Sequence, residues 1–268
     1  MKHLLLASAL LVGMNSFAQK KEKDKKPKDD EKYVYADATI ETDDYKVYVI
    51  DAVAVGGQAK FKIKVFNKTN DYLLIKPSEF TYVAGDKKVN SRDKTFTVPP
   101  NDEEIEVIDF KGSEMQAETF TVEMPGIYKA SAGGKISDAP NFDIPASKNE
   151  FTAGNFSCML KKADATTSKT VGRFECVYTG DGVGIINPNK AILVMPNGAD
   201  NPNSKKAKTI ILEKAKNDDF TLVFNEVKDA GDMQKKATTI KWKETFRESK
   251  LLKLSPAKIV LIKDSGKK

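Results

Sequence analysis

Two cysteines and a set of carboxylates are the residues of this chain that could do chemistry, because histidine is almost absent. The only histidine is His3, and it lies within a segment predicted below to be removed on export. The mature chain therefore cannot perform Ser-His-Asp or Cys-His catalysis, or bind zinc through an HExxH motif. Carboxylate pairs are the acid–base groups that remain, so a carboxylate-dependent hydrolase is one hypothesis for the function.

Most of these carboxylates lie in turns or alternate outward along predicted strands, where charged side chains protect sheet edges. Acidic turns recur at 101–103 and 217–219. Because calcium prefers oxygen ligands, the two turns raise calcium binding as a second hypothesis. The chain has no EF-hand loop. We expect no catalytic residue, no cofactor and no metal.

Cys158 and Cys176 lie in two segments, NFSCMLK and RFECVY, that alternate as strands do. A hairpin turning near 166–168 would bring them to facing positions on neighbouring strands. In an oxidising compartment this arrangement favours a structural disulfide over two buried thiols. A redox-active pair would need CxxC spacing. We predict that the pair stabilises the fold.

The N terminus, MKHLLLASALLVGMNSFAQ, predicts an export signal at 1–18. Lys2 supplies the positive charge, 4–14 the apolar run, and Ser16-Phe17-Ala18 the small residues that precede cleavage at Gln19. The apolar run is too short to span a bilayer, and no later stretch is long enough. The protein is therefore expected to be exported, to the periplasm or the cell surface.

Residues 19–32, QKKEKDKKPKDDEK, contain almost nothing that could enter a core and are predicted to form a charged, disordered tether. This tether, Lys2 and the final Lys267-Lys268 carry five of the six net positive charges, so the remainder of the chain is near +1. The net charge is therefore no sign of nucleic-acid binding.

The rest of the chain alternates as strands do and shows no convincing helical period. Residues 60–65 read KFKIKV, with three apolar side chains on one face and three lysines on the other, as in an antiparallel sheet with one solvated face. Gly56-Gly57, just before, supplies a tight hairpin turn after a strand at 47–55. Further strands are predicted at 80–83, 95–98, 105–110 and 119–123. The predicted fold class is all-β.

The order and spacing of these strands repeat in the second part of the chain. Phe61-x-Ile63 corresponds to Phe174-x-Cys176, and Ile75-Lys76-Pro77 corresponds to Ile186-Asn187-Pro188. Such an internal repeat predicts two tandem β-sandwiches. The pattern breaks around 130–145, which places the predicted domains at 33–135 and 142–268.

Residues 59–89 and 95–112 resemble the immunoglobulin-like domains found in tandem in bacterial secreted and envelope proteins. The residues that carry the resemblance are Asn67, Pro77, Phe80, Gly85 and Pro99-Pro100. It is weaker in the second copy, where Thr179 and Ala191 replace Asn67 and Phe80. The resemblance implies two tandem immunoglobulin-like antiparallel β-sandwich domains with an extracytoplasmic role. It supplies no catalytic residue, and a shared fold does not imply a shared function.

We therefore expect an exported, non-catalytic binding or scaffolding protein of the bacterial cell envelope. Its partner would be an envelope or cell-surface protein that contacts sheet faces, loops or edge strands, with neither nucleic-acid binding nor a membrane span. The main alternative is a carbohydrate-binding module, for which Trp242, Tyr33 and Tyr35 are the candidate ligand face. Trp242 lies in TIKWK, which is also the pattern of a core side chain. Its exposure would favour a glycan partner, and its burial would exclude this face.

Overall fold

The computed structural model describes residues 31–195, 197–227 and 237–266. The predicted export signal at 1–18 and most of the predicted tether at 19–32 lie outside these residues. Within the tether, Lys32 is described and begins the first strand. The described part of the chain contains no helix suited to crossing a membrane.

The all-β prediction is confirmed. The described residues form twenty-five strands and two short 3-10 turns, Pro77–Glu79 and Pro188–Lys190, with no α-helix among them. All of the strand pairings that they form are antiparallel. The predicted hairpin at Gly56-Gly57 joins two long strands in which buried and exposed side chains alternate, because one face of each packs on the core.

The first half of the fold has two layers around one core. One layer contains β1 (Lys32–Val34), β2 (Ala38–Glu41), β3 (Tyr45–Val55), β4 (Gln58–Asn67) and β9 (Glu103–Lys111). The other consists of two four-stranded sheets with corresponding strand orders, β25-β10-β6-β7 and β24-β11-β5-β8, which we together call the bent sheet. Its strands are β5 (Tyr72–Ile75), β6 (Thr81–Ala84), β7 (Lys87–Asn90), β8 (Phe96–Val98), β10 (Thr119–Met124), β11 (Ile127–Ala130), β24 (Leu251–Lys253) and β25 (Ala257–Ile262). Buried side chains from both layers form a single apolar cluster.

The second half repeats this arrangement around its own apolar cluster. Its first layer contains β14 (Glu150–Ala153), β15 (Phe156–Ala165), β16 (Lys169–Tyr178) and β21 (Asn217–Asn225). Its bent sheet contains β12 (Lys135–Ile136) with β13 (Phe142–Ile144), β17 (Val183–Ile186) with β18 (Ile192–Val194), β19 (Asp200–Pro202) with β20 (Ile210–Glu213), and β22 (Thr238–Lys241) with β23 (Phe246–Ser249). The strand order β25-β10-β6-β7 of the first half is matched by β13-β22-β18-β19 of the second.

Two pairs of strands cross between the halves. The linker arm, β12 and β13, follows β11 of the first half but pairs with β23 and β22 of the second. The C-terminal arm, β24 and β25, follows β23 of the second half but pairs with β11 and β10 of the first. The sequence-based division at 33–135 and 142–268 placed the C-terminal arm in the second domain, whereas the structure pairs it with the first half. Local alternation defines a strand but not its partner, so the crossing has no local sequence signal.

The halves also contact each other through their bent sheets. A third small apolar cluster joins Ala130 of the first half to Val183 and Ile185 of the second. The ammonium of Lys76 lies at the carboxylate of Glu213 across the same boundary. The crossing arms and this contact together hold the two halves against each other.

Candidate functional site

The predicted disulfide is present in the second half. Cys158 and Cys176 occupy facing positions on β15 and β16, and a bond joins their sulfur atoms. The hairpin that carries them turns at 166–168, as predicted from the sequence. Both cysteines are buried, so this bond stabilises the second core and offers no reactive thiol.

The aromatic ligand face considered under the carbohydrate-binding alternative does not form, because all three of its side chains are buried. Trp242 is 2% exposed, Tyr33 7% and Tyr35 0%. The indole of Trp242 stacks on Phe151 with the ring centroids 4.8 Å apart. The hydroxyl of Tyr35 donates a hydrogen bond to the carbonyl of Ala117 (2.8 Å), and burial raises the pKa of Tyr35 to about 12. A sugar platform needs a solvent-facing ring, which none of the three provides.

The two acidic turns considered for calcium organise strand starts. The carboxylate of Asp102 accepts a hydrogen bond from the backbone N–H of Glu103 (2.8 Å), and Asp218 does the same for Asp219 (2.7 Å). The carboxylate of Glu103 also pairs with the ammonium of Lys64, 2.7 Å away. Within the described ranges, no three His, Cys, Asp or Glu residues are grouped as metal ligands would be. These turns therefore act as local backbone caps.

The open edge of β9 is the feature of the first half best suited to contact another molecule. In the described part of the chain β9 pairs with β4 alone. The backbone N–H of Asp109 points away from β4 and donates to a carboxylate oxygen of Asp93, 2.7 Å away. Because alternate residues of a strand direct their backbone groups to the same side, Ile105 and Val107 also direct theirs to the open edge.

The solvent face beside this edge carries exposed apolar side chains among lysines. Ile105 is 51% exposed and Val107 42%, and Phe66 on the neighbouring strand is 37% exposed. Their cross-strand neighbours on β4 are Lys64, opposite Ile105, and Lys62, opposite Val107. We call Phe66, Ile105, Val107 and the open backbone edge of β9 the β9 surface.

The opposite side of the same strand is acidic. Glu104 and Glu106 alternate with the apolar pair and line a groove between the two halves, together with Asp218 and Lys208. The ammonium of Lys208 is 3.0 Å from a carboxylate oxygen of Glu104. The groove therefore has three carboxylates and one lysine on its walls, so its net charge is negative.

The equivalent edge in the second half is covered. The backbone N–H of Val223 on β21 donates to the side-chain oxygen of Asn203 (2.9 Å), and the N–H of Ser204 donates to the carbonyl of Val223 (2.7 Å). The hydroxyl of Ser204 accepts from the N–H of Asn225 (3.1 Å). The side-chain cap at Val223 has a counterpart in the first half, where Asp93 caps Asp109. What distinguishes the two described edges is Ser204, which bonds to Val223 and Asn225, whereas Ile105 and Val107 have no such neighbouring segment. The alternation of 105–110 predicted the strand β9, but it carried no sign that its edge is open.

Comparison with known proteins leaves the function to be inferred from geometry. No protein-family model matches the chain, and no curated protein matches it. The β9 surface combines backbone donors and acceptors with exposed apolar side chains, and an acidic groove lies on the other side of the same strand. Those are the components of recognition by strand addition, in which backbone bonds give affinity and alternate side chains give specificity.

Proposed function

We propose that this chain is an exported, non-catalytic binding or scaffolding protein of the bacterial cell envelope, built from two tandem immunoglobulin-like β-sandwiches. The observation that carries the proposal is the open edge of β9 with its exposed apolar face. The predicted export signal supports an envelope location. The Cys158–Cys176 disulfide is compatible with it, because disulfides persist in oxidising compartments.

The partner in this proposal is an extended segment of an envelope protein in which apolar and basic residues alternate. A strand added beside β9 places every second side chain next to Ile105 and Val107 on the apolar face. The intervening side chains then point towards Glu104, Glu106 and Asp218 in the groove. Lysine or arginine at those positions complements the carboxylates.

The edge is protected by acidic side chains but lacks the other devices that normally prevent strand addition. Natural sheets blunt their edges with lysine, proline, bulges or a covering loop. The core of β9, residues 103–109, reads EEIEVID and contains neither lysine nor proline. Its glutamates would repel a second β9 placed alongside, because like charges on facing strands are destabilising. The acidic side chains therefore disfavour pairing of two β9 edges but allow pairing with a basic strand.

The test measures binding of two synthetic peptides to the full mature chain, one alternating valine with lysine and the other alternating valine with glutamate. We expect the valine–lysine peptide to bind at least about tenfold more tightly, a difference of about 1.4 kcal/mol. Hydrogen exchange of the Ile105 and Val107 amides should slow on binding, because the new strand would accept their hydrogen bonds.

A matched pair of variants locates the site. Ile105→Lys with Val107→Lys should abolish binding, whereas Val260→Lys with Ile262→Lys, equally exposed on β25, should leave it unchanged. Equal binding of both peptides, or equal loss in both variants, would show that β9 is not the recognition edge. If the site is located at β9, cross-linking of the native envelope fraction followed by affinity purification would identify the natural partner. That partner should be recovered with the wild type but not with the Ile105→Lys, Val107→Lys variant.

A further inference from the structure

We propose that two copies of this chain form a domain-swapped dimer with the loop at 145–149 as the hinge. In this dimer, the segment before the loop in one copy packs with the segment after the loop in the other. The N-terminal segment, 31–144, contains the body of the first half and the linker arm. The C-terminal segment, 150–266, contains the body of the second half and the C-terminal arm. Each segment thus carries the strands that complete the other.

The C-terminal arm is seated deeply in the first half. Strand β25 pairs with β10 over six residues, from Thr119 opposite Ile262 to Met124 opposite Ala257. The inward side chains of Ala257, Ile259 and Leu261 are 3% exposed or less. Without this arm, β10 would present an open edge and the first core would lose one wall.

The linker arm is seated equally firmly in the second half. Phe142 and Ile144 are buried in the second core and pair with Ile240 and Thr238 of β22. The hydroxyl of Ser137 donates to the carboxylate of Glu248 on β23, 2.8 Å away. Both arms are therefore specific strands with a fixed register.

Only the loop at 145–149 joins the two segments covalently. It runs from β13 in the bent sheet to β14 in the other layer of the same half, and these two strands do not pair with each other. The disulfide does not add a connection, because Cys158 and Cys176 both belong to the C-terminal segment.

Exchange between copies would preserve the interactions described above. If the N-terminal segment of one copy joins the C-terminal segment of another, both arms, both cores and the contact between the halves form as before. Only the conformation of 145–149 changes. Domain swapping is a low-cost route to a dimer for this reason, and a short hinge loop promotes it.

The test uses the outward side chain of Thr121, which lies between one neighbour from each segment. Val83 on β6 belongs to the same segment as Thr121, and Val260 on β25 belongs to the other. Full-length Thr121→Cys and Val260→Cys proteins are mixed at about 100 µM, incubated under native conditions and mildly oxidised. Thr121→Cys mixed with Val83→Cys is the matched control.

Swapped dimers place Thr121 of one copy beside Val260 of the other, but keep Thr121 and Val83 within one copy. We expect a disulfide-linked dimer in the first mixture, identified by mass spectrometry of the joined peptides, at about tenfold or more the yield of the control. Equal yields in the two mixtures, or monomers alone by sedimentation, would overturn the proposal. Thermal melting of each single variant checks that it folds.

Loop length provides an independent readout that does not depend on introduced cysteines. Deleting Ser147 and Lys148 should raise the dimer fraction, because the shortened loop connects β13 to β14 of the same copy less easily. Inserting four glycines there should lower the dimer fraction. An unchanged dimer fraction in both variants would overturn the assignment of 145–149 as the hinge. Neither experiment involves the β9 surface, so its outcome is separate from that of the proposed function.

Discussion

At the scale of single residues, the bend of the first half depends on a position where only glycine fits. Gly126 lies between β10 and β11, and its carbonyl accepts a hydrogen bond from the N–H of Lys76 (2.8 Å). A Cβ at this position would clash with the carbonyl oxygen of Lys76 and would lie 2.9 Å from the Cβ of Glu79. Both neighbours are held by the adjacent turn, so they cannot move away freely.

We expect Gly126→Ala to lower the free energy of unfolding by about 1–3 kcal/mol, because the added methyl overpacks the bend. Gly133→Ala is the control: it lies just beyond β11, and its Cβ would meet nothing closer than 3.7 Å. Urea unfolding measures both variants. Equal stabilities would mean that the backbone at the bend adjusts without cost.

The carboxylate of Glu248 ties the linker arm to the second half. It accepts hydrogen bonds from the hydroxyl of Ser137 (2.8 Å) and from the side-chain amide of Asn155 (2.6 Å). Burial opposes its ionisation, but the hydrogen bonds from Asn155 and Ser137 outweigh that effect and leave the pKa of Glu248 below its usual range.

A lowered pKa in the folded state means that ionised Glu248 adds stability above its unfolded pKa of about 4.3, and that this contribution is lost as the pH falls towards the folded value. The unfolding free energy of Glu248→Gln should therefore change less than that of the wild type between about pH 5 and pH 3. Urea titrations at a series of pH values measure the difference. Parallel curves for the two proteins would contradict it.

At the scale of secondary-structure elements, β25 follows the second half along the chain but completes the core of the first. Its side chains alternate strictly, so adjacent residues differ completely in environment. Leu261 is fully buried, whereas Ile262 is 59% exposed. This contrast allows the contribution of the arm to be measured by two neighbouring substitutions.

Leu261→Ala should destabilise the protein by about 2–5 kcal/mol, because it leaves a cavity in the first core. Ile262→Ala should cost about 0.5 kcal/mol or less, since its side chain faces solvent. In Leu261→Ala, hydrogen exchange measured by mass spectrometry should be faster in β10, a strand of the first half, than in the wild type. Loss of protection confined to the second half would contradict the observed pairing.

The sequence predicted individual strands well and their partners less well. The alternation of Phe61, Ile63 and Val65 predicted β4, and the facing cysteines predicted the β15–β16 hairpin. Strand identity follows from local period, which a single segment carries. The partner of β25 depends instead on which edge is vacant after the rest has folded. Similarly, alternation placed Ile240 and Trp242 on one face of a strand, but it did not predict whether that face meets solvent or a second layer.

At the scale of the whole molecule, the fold consists of two interlocked segments held by one short connection. The interlocking predicts that cutting this connection leaves the protein assembled. A protease site introduced at 145–149 and then cleaved should yield two fragments that co-elute in gel filtration. The thermal transition should shift little, since both arms and both cores are kept.

The two fragments should separate in denaturant, because no disulfide joins them. A control site introduced at 166–168, within the β15–β16 hairpin, should leave fragments that stay linked in denaturant until the disulfide is reduced. Separation of the first pair of fragments without denaturant would show that the arms contribute little to cohesion.

The position of β25 near the end of the described chain has a consequence for synthesis. A ribosome delivers the N terminus first, so β10 emerges long before the strand that pairs with it. The edge of β10 in the first half therefore stays unpaired until residues 257–262 have been synthesised. The linker arm, by contrast, is synthesised before the second half that it completes. A stop codon just after Lys250 would therefore damage the half that was translated first.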